Sequence, residues 1–192
     1  DTYVEECHRG FFMNYARGIS REKCGVQEKH VAGLLFLFPV LASCLQDPEA
    51  GSDQALKQMN LTHPGQGMQE AGRLLIRLFY DLIQGTEIVE AVEKLIASQS
   101  SRLLKGSWKR WFSMDTCRVI TTETGPACYL EQAVPAILYI LRQHGDDPET
   151  ALIENTMAGG DNVHRGAVIG ALLAASHGIS KFPDSWVNGL VE

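Results

Sequence analysis

The residues best suited to chemistry stand together at Gly159-Gly160-Asp161-Asn162-Val163-His164-Arg165-Gly166. Two glycines allow a tight turn and a close backbone approach to a ligand. A carboxylate, an amide, an imidazole and a guanidinium follow at the start of a helical pattern, where the first N–H groups have no partner inside the helix. Such an end suits an anion, phosphate among them, so His164 and Arg165 are candidate phosphate contacts. Asp161, Asn162 and His164 also carry donor atoms for a metal. The plainer reading makes Asp161 or Asn162 an N-cap and Arg165 a solvated or ion-paired side chain.

The other histidines are less pointed. His63 lies in Leu61-Thr62-His63-Pro64, which interrupts a helical pattern and could face a ligand. His30 opens an apolar segment and reads as a hydrogen-bonded core residue. His8 and His144 read as surface residues, and His177 before Gly178 as part of a helix stop. The five cysteines (Cys7, Cys24, Cys44, Cys117 and Cys128) are widely spread with no CxxC pair. That spacing fits neither a zinc module nor a disulfide framework, so they read as reduced thiols of an intracellular, cytoplasmic protein. No Gly-x-Ser-x-Gly, P-loop or dinucleotide fingerprint occurs.

Helices must position these groups. Between residues 70 and 83 the apolar positions Leu74, Leu75, Leu78, Phe79, Leu82 and Ile83 form one helical stripe, which Gly85 closes. Thr86 is then expected to cap a second amphipathic helix, antiparallel to the first. Residues 3–19 and 28–45 read as helices, the latter mostly buried. Residues 47–52 read as a surface turn before a short helix over 53–59. Residues 107–125, with Trp108, Trp111, Val119 and Ile120, read as a loop or short extended segment. Residues 127–144 form an apolar helix with Pro135 inside it, and Asp147-Pro148 starts the next. Residues 163–176, with Gly166, Gly170 and Ala174 four apart, read as a central, closely packed helix. No strand alternation or repeat is visible, so the fold class is all-α, a compact helical bundle.

The bulk numbers agree with one soluble domain. At 192 residues the chain fits a single helical domain over 1–192, or the carboxy-terminal segment of a larger one. It begins at Asp1 without a methionine and runs straight into a helical pattern, which suggests that an amino-terminal part is missing. Its net charge of −6 has no basic run behind it and argues against nucleic acid. The longest apolar run, residues 33–45, contains Pro39 and is too short to span a bilayer. Periodicity alone leaves the oligomeric state open.

A longer pattern surrounds the glycine pair. Asn155-Thr156-Met157-Ala158-Gly159-Gly160-Asp161 and the following 166–178 segment, Gly-Ala-Val-Ile-Gly-Ala-Leu-Leu-Ala-Ala-Ser-His-Gly, resemble the carboxy-terminal signature of the ADP-ribosylglycohydrolase family. Tyr129-Leu130-Glu131-Gln132-Ala133-Val134-Pro135-Ala136 resembles the helix before that signature, and Phe182-Pro183-Asp184-Ser185-Trp186 the segment after it. Leu61-Thr62-His63-Pro64 resembles an earlier threonine-histidine element. The likeness covers most of the chain and is sharpest in its last third.

The resemblance implies an all-helical hydrolase that cleaves the glycosidic bond of ADP-ribose to protein or a related substrate, with magnesium as cofactor. The expected partner is ADP-ribose or an ADP-ribosylated protein. It places Asp161, Asn162 and His164 as metal contacts, and His63, Gly159, Gly160, His164 and Arg165 as substrate contacts. No catalytic acid or base is assigned. The family's ligands come from an early Thr-Asp-Asp and a late Gly-Gly-Asp-x-Asp-Thr/Ser element. Here Asp161 matches the first late aspartate, whereas Val163 and His164 replace the second aspartate and the hydroxyl, and no Thr-Asp-Asp occurs. Asp146-Asp147 precedes a proline and reads as a cap. One carboxylate cannot supply the roughly six oxygen donors that each magnesium ion takes. This chain alone is therefore expected to be inactive. The alternative is a non-catalytic ADP-ribose-binding or structural domain, as the family's lens crystallins suggest.

Overall fold

The computed structural model describes residues 3–189, in which every regular element is helical and no strand occurs. These residues divide into two compact units, one ending at Ile76 and the other beginning at Arg77.

The first unit contains α1 (Glu6–Ala16), α2 (Leu37–Ser43) and α3 (Pro48–Thr62), and α4 (Gln66–Ile83) begins in it. Helix α2 packs along α3, and α1 also touches α3. The single helix expected over 28–45 is instead a 3-10 segment, Val31–Phe36, followed by α2. Pro39 explains the break: it has no N–H and would clash inside a continuing α-helix, but it is tolerated in the first turn of a helix that starts at Leu37. Residues 47–52 are not a surface turn. Asp47 accepts a hydrogen bond from Ala50 N at 3.1 Å and Pro48 stands at the first helical position, so α3 starts there.

The stripe predicted on α4 is buried at Leu74, Leu75, Leu78, Phe79 and Leu82, although Ile83 is exposed. The Gly85 stop is present at φ +88°, with Gly85 N bonded to Leu82 O and Thr86 N to Asp81 O. Thr86, however, is not the next cap. Helix α5 (Ile88–Ala97) begins after Glu87, which makes no side-chain capping bond.

The second unit also holds α6 (Trp108–Trp111), α7 (Thr116–Arg118), α8 (Leu130–His144), α9 (Pro148–Met157), α10 (Asn162–His177) and α11 (Asp184–Asn188). The centre belongs to α8, whose residues from Ala133 to Leu141 are all buried. It packs on α5, α9 and α10. Helix α10 buries one face, through Arg165, Val168, Ile169, Leu172 and Leu173.

The stretch expected to be a loop or short extended segment, 107–125, is mostly helical: α6, α7 and a π-helical turn, Val119–Thr124. Tertiary burial overrides β-propensity here. Val119 and Ile120 are fully buried, and Trp108 Nε1 donates to Leu104 O at 2.7 Å. The hydroxyls of Thr121 and Thr122 donate back to the carbonyls of Cys117 and Arg118, which holds the widened turn. Among the described residues no helix is long and apolar enough to cross a membrane.

Candidate functional site

The glycine pair joins α9 to α10. Both glycines adopt positive φ, +70° at Gly159 and +68° at Gly160. Gly160 is constrained twice, because a Cβ there would also run into the Pro126 carbonyl. That carbonyl accepts a hydrogen bond from Asp161 N at 3.0 Å, which pins the turn to the segment preceding α8.

Asp161 occupies the N-cap position of α10 but makes no side-chain capping bond. Its carboxylate instead meets His164 Nδ1, with Oδ1 at 3.0 Å and Oδ2 at 3.2 Å. The i,i+3 spacing brings the two side chains together over the first turn. Both are partly exposed, 21% for Asp161 and 28% for His164. Val163 points outward and is 73% exposed. Asn162 Nδ2 donates to Thr156 O at 3.1 Å, tying the start of α10 to the end of α9.

Arg165 is the largest fully buried side chain, 1% exposed. Its Nε donates to Asn155 Oδ1 at 2.6 Å, and its Nη2 to Gly159 O at 2.8 Å and Asn155 O at 3.2 Å. Burial holds the guanidinium below its ordinary pKa, with the Asp161 charge partly opposing that effect. Asn155, 2% exposed, completes the arrangement by donating from Nδ2 to Asn162 O at 2.9 Å. Gly166 makes room for it, since a Cβ at 166 would lie 2.7 Å from Asn155 Nδ2. Asn155 is a site residue that the spacing of charged and ring side chains does not single out. Its signal is an amide at the helical spacing of Ala151, on the buried face of α9 and four residues before the glycine pair.

An ADP-ribosylglycohydrolase family model matches residues 3–192. The chain belongs to the ADP-ribosylglycohydrolase family. No curated protein matches it significantly.

Family membership implies a divalent metal, and the late loop can be tested against one. A magnesium pair needs several oxygen donors per ion in octahedral geometry. The loop presents one carboxylate, already engaged by an imidazole, while Val163 offers no donor atom. That donor set is too small for a magnesium pair.

The remaining sequence-derived candidates each have a hydrogen-bond partner of their own. His63, in the first unit, is 0% exposed, and its Nδ1 bonds to Thr62 Oγ1 at 2.9 Å. His30 is half-buried, and its Nδ1 accepts from Ala32 N. His144 is half-buried and bonds to Thr116 Oγ1 at 2.8 Å, and His177 Nε2 donates to Gly145 O at 2.7 Å. Cys7 is buried; desolvation, then the Glu5 carboxylate, pushes its thiol up to about 11. At neutral pH it is not a free nucleophile.

Proposed function

We propose that this chain serves an ADP-ribosylglycohydrolase-like role by recognising the ADP-ribosyl group, and that these 192 residues alone do not hydrolyse its glycosidic bond. The observation that carries this reading is the Asp161–His164 pair, 3.0 Å apart where the family signature has two carboxylates and a hydroxyl. An imidazole in contact with the one remaining carboxylate suits hydrogen bonding to a polar ligand better than magnesium coordination.

In this reading the Gly159-Gly160 turn lets a ligand approach the backbone, and the accessible edge of His164 supplies a polar contact. Asp161 orients that ring. Asn162 braces the start of α10 and stays adjacent to the ligand. Arg165 acts as a positioning residue: its bonds to Gly159 O and Asn155 hold the turn in shape. The partner is ADP-ribose or an ADP-ribosylated protein. The match of one family model across both units supports counting them as parts of one helical domain.

Calorimetric titration with ADP-ribose, with and without magnesium, tests this. Binding should not depend on magnesium and should weaken about tenfold in His164→Ala, the loss of one hydrogen bond to a charged group. ADP-ribosylated protein should be left intact. Magnesium-dependent release of ADP-ribose that Asp161→Ala abolishes would overturn the inactive reading. Failure of the folded chain to bind ADP-ribose at all would leave the structural, crystallin-like role.

A further inference from the structure

A further group of donor atoms lies in the first unit. Glu5 stands at the N-cap position of α1, with Cys7 and His8 in the first turn. His63 is the C-terminal cap residue of α3. The packing of α1 on α3 brings these helix ends together. Cys7 Sγ lies 3.7 Å from Glu5 Oε2 and 3.7 Å from His8 Nδ1, and that nitrogen lies 3.8 Å from Glu5 Oε2. The three atoms form a nearly equilateral triangle. Donor atoms of Glu5, Cys7 and His63 also lie within 4.8 Å of one another. The imidazoles of His8 and His63 meet edge to face, with centroids 6.3 Å apart.

These separations have a physical meaning. A tetrahedral ion with bonds of about 2.0–2.3 Å sets its donor atoms roughly 3.3–3.8 Å apart. The Glu5, Cys7 and His8 donor atoms already have those separations, and His63 would complete the set from within 4.8 Å of Glu5 and Cys7. One thiolate, two imidazoles and one carboxylate form a borderline-soft set that favours zinc and its neighbours over magnesium or calcium. Thr62 supports the arrangement: its Oγ1 lies 2.9 Å from His63 Nδ1, and with Nδ1 donating there the ring would present its Nε2 lone pair to an ion. Access is also provided. Cys7 and His63 are buried, while the side chains of Glu5 and His8 are 27% and 33% exposed. The ion would have an inner, rigid half and an outer half open to solvent.

We propose that Glu5, Cys7, His8 and His63 form a binding site for a zinc-class divalent transition metal. The ion ties the start of α1 to the end of α3.

The test is titration of the reduced, chelator-treated chain with cobalt(II), followed by zinc. One equivalent of cobalt should give intense tetrahedral d–d bands and a thiolate-to-cobalt charge-transfer band, and zinc should displace both. Cys7→Ser should lose the charge-transfer band, and excess magnesium should leave it unchanged. No such band in the folded chain overturns the proposal. So does a band that survives Cys7→Ser, since it would come from Cys24, Cys44, Cys117 or Cys128. Should Cys7→Ser fail to fold, Glu5→Gln at the exposed edge decides the matter. Zinc affinity should fall about tenfold or more, and unchanged affinity overturns the assignment.

Discussion

Arg165 and Asn155 show how a loop of small residues obtains a fixed shape. The guanidinium reaches under the turn to the Gly159 carbonyl and is held in place by the Asn155 side chain. A buried cation of this kind contributes by satisfying acceptors that would otherwise be desolvated without a partner. Arg165→Ala removes all three bonds and leaves a void, so chemical denaturation should show a loss of about 3 kcal/mol. Arg165→Lys should recover little, because one ammonium cannot reproduce the planar fork. Gly166 belongs to the same unit of meaning. Its missing Cβ lets Asn155 sit against α10, so its value lies in contact distance.

Among the elements, α9 is the one whose start depends most visibly on a single side chain. Asp147 Oδ1 accepts from Glu149 N at 3.1 Å and Thr150 N at 3.3 Å, and Oδ2 from the Thr150 hydroxyl at 2.6 Å. These bonds, that from the Thr150 hydroxyl foremost, hold the carboxyl below its ordinary pKa. A depressed carboxylate pKa stabilises the fold above the unfolded-state value, and that contribution is lost as pH falls through the folded-state value. Thermal unfolding of the wild type should therefore fall more steeply below about pH 4 than that of Asp147→Asn, whose cap does not titrate. Equal acid sensitivity would remove the cap from the account. The same Asp-Pro pair opens α3 at Asp47-Pro48, where composition alone suggests a turn. Both starts follow from one rule: an aspartate satisfies the open N–H groups and proline supplies the first helical φ.

For the whole molecule, charge and length set the partners within reach. A chain with 23 acidic and 17 basic residues and no basic run lacks the positive field that holds a polyanionic backbone. It should not retard duplex DNA in a gel-shift experiment at physiological salt, and salt-sensitive retardation would contradict that reading. ADP-ribose carries only two phosphates, which a helix start and a few donors can hold without a basic surface. The molecule's chemistry is thus expected to rest on local geometry, not on its overall field.

Much of this was legible in the sequence because it depends on neighbours along the chain. The stripe from Leu74 to Leu82, the Gly85 stop, the Asp147-Pro148 start and the all-α class follow from helical periodicity and from caps that bond within five residues. The family likeness was legible for the same reason, as an ordered string of local motifs. What periodicity could not reach was decided in three dimensions. Residues 107–125 became helical because Trp108, Val119 and Ile120 found buried places that their β-propensity could not foresee. Cys7 and His63 are 56 positions apart in the numbering, and only the packing of α1 on α3 makes them neighbours. Local bonding rules act over a turn of helix, whereas a site assembled from distant segments exists only once burial has brought its parts together.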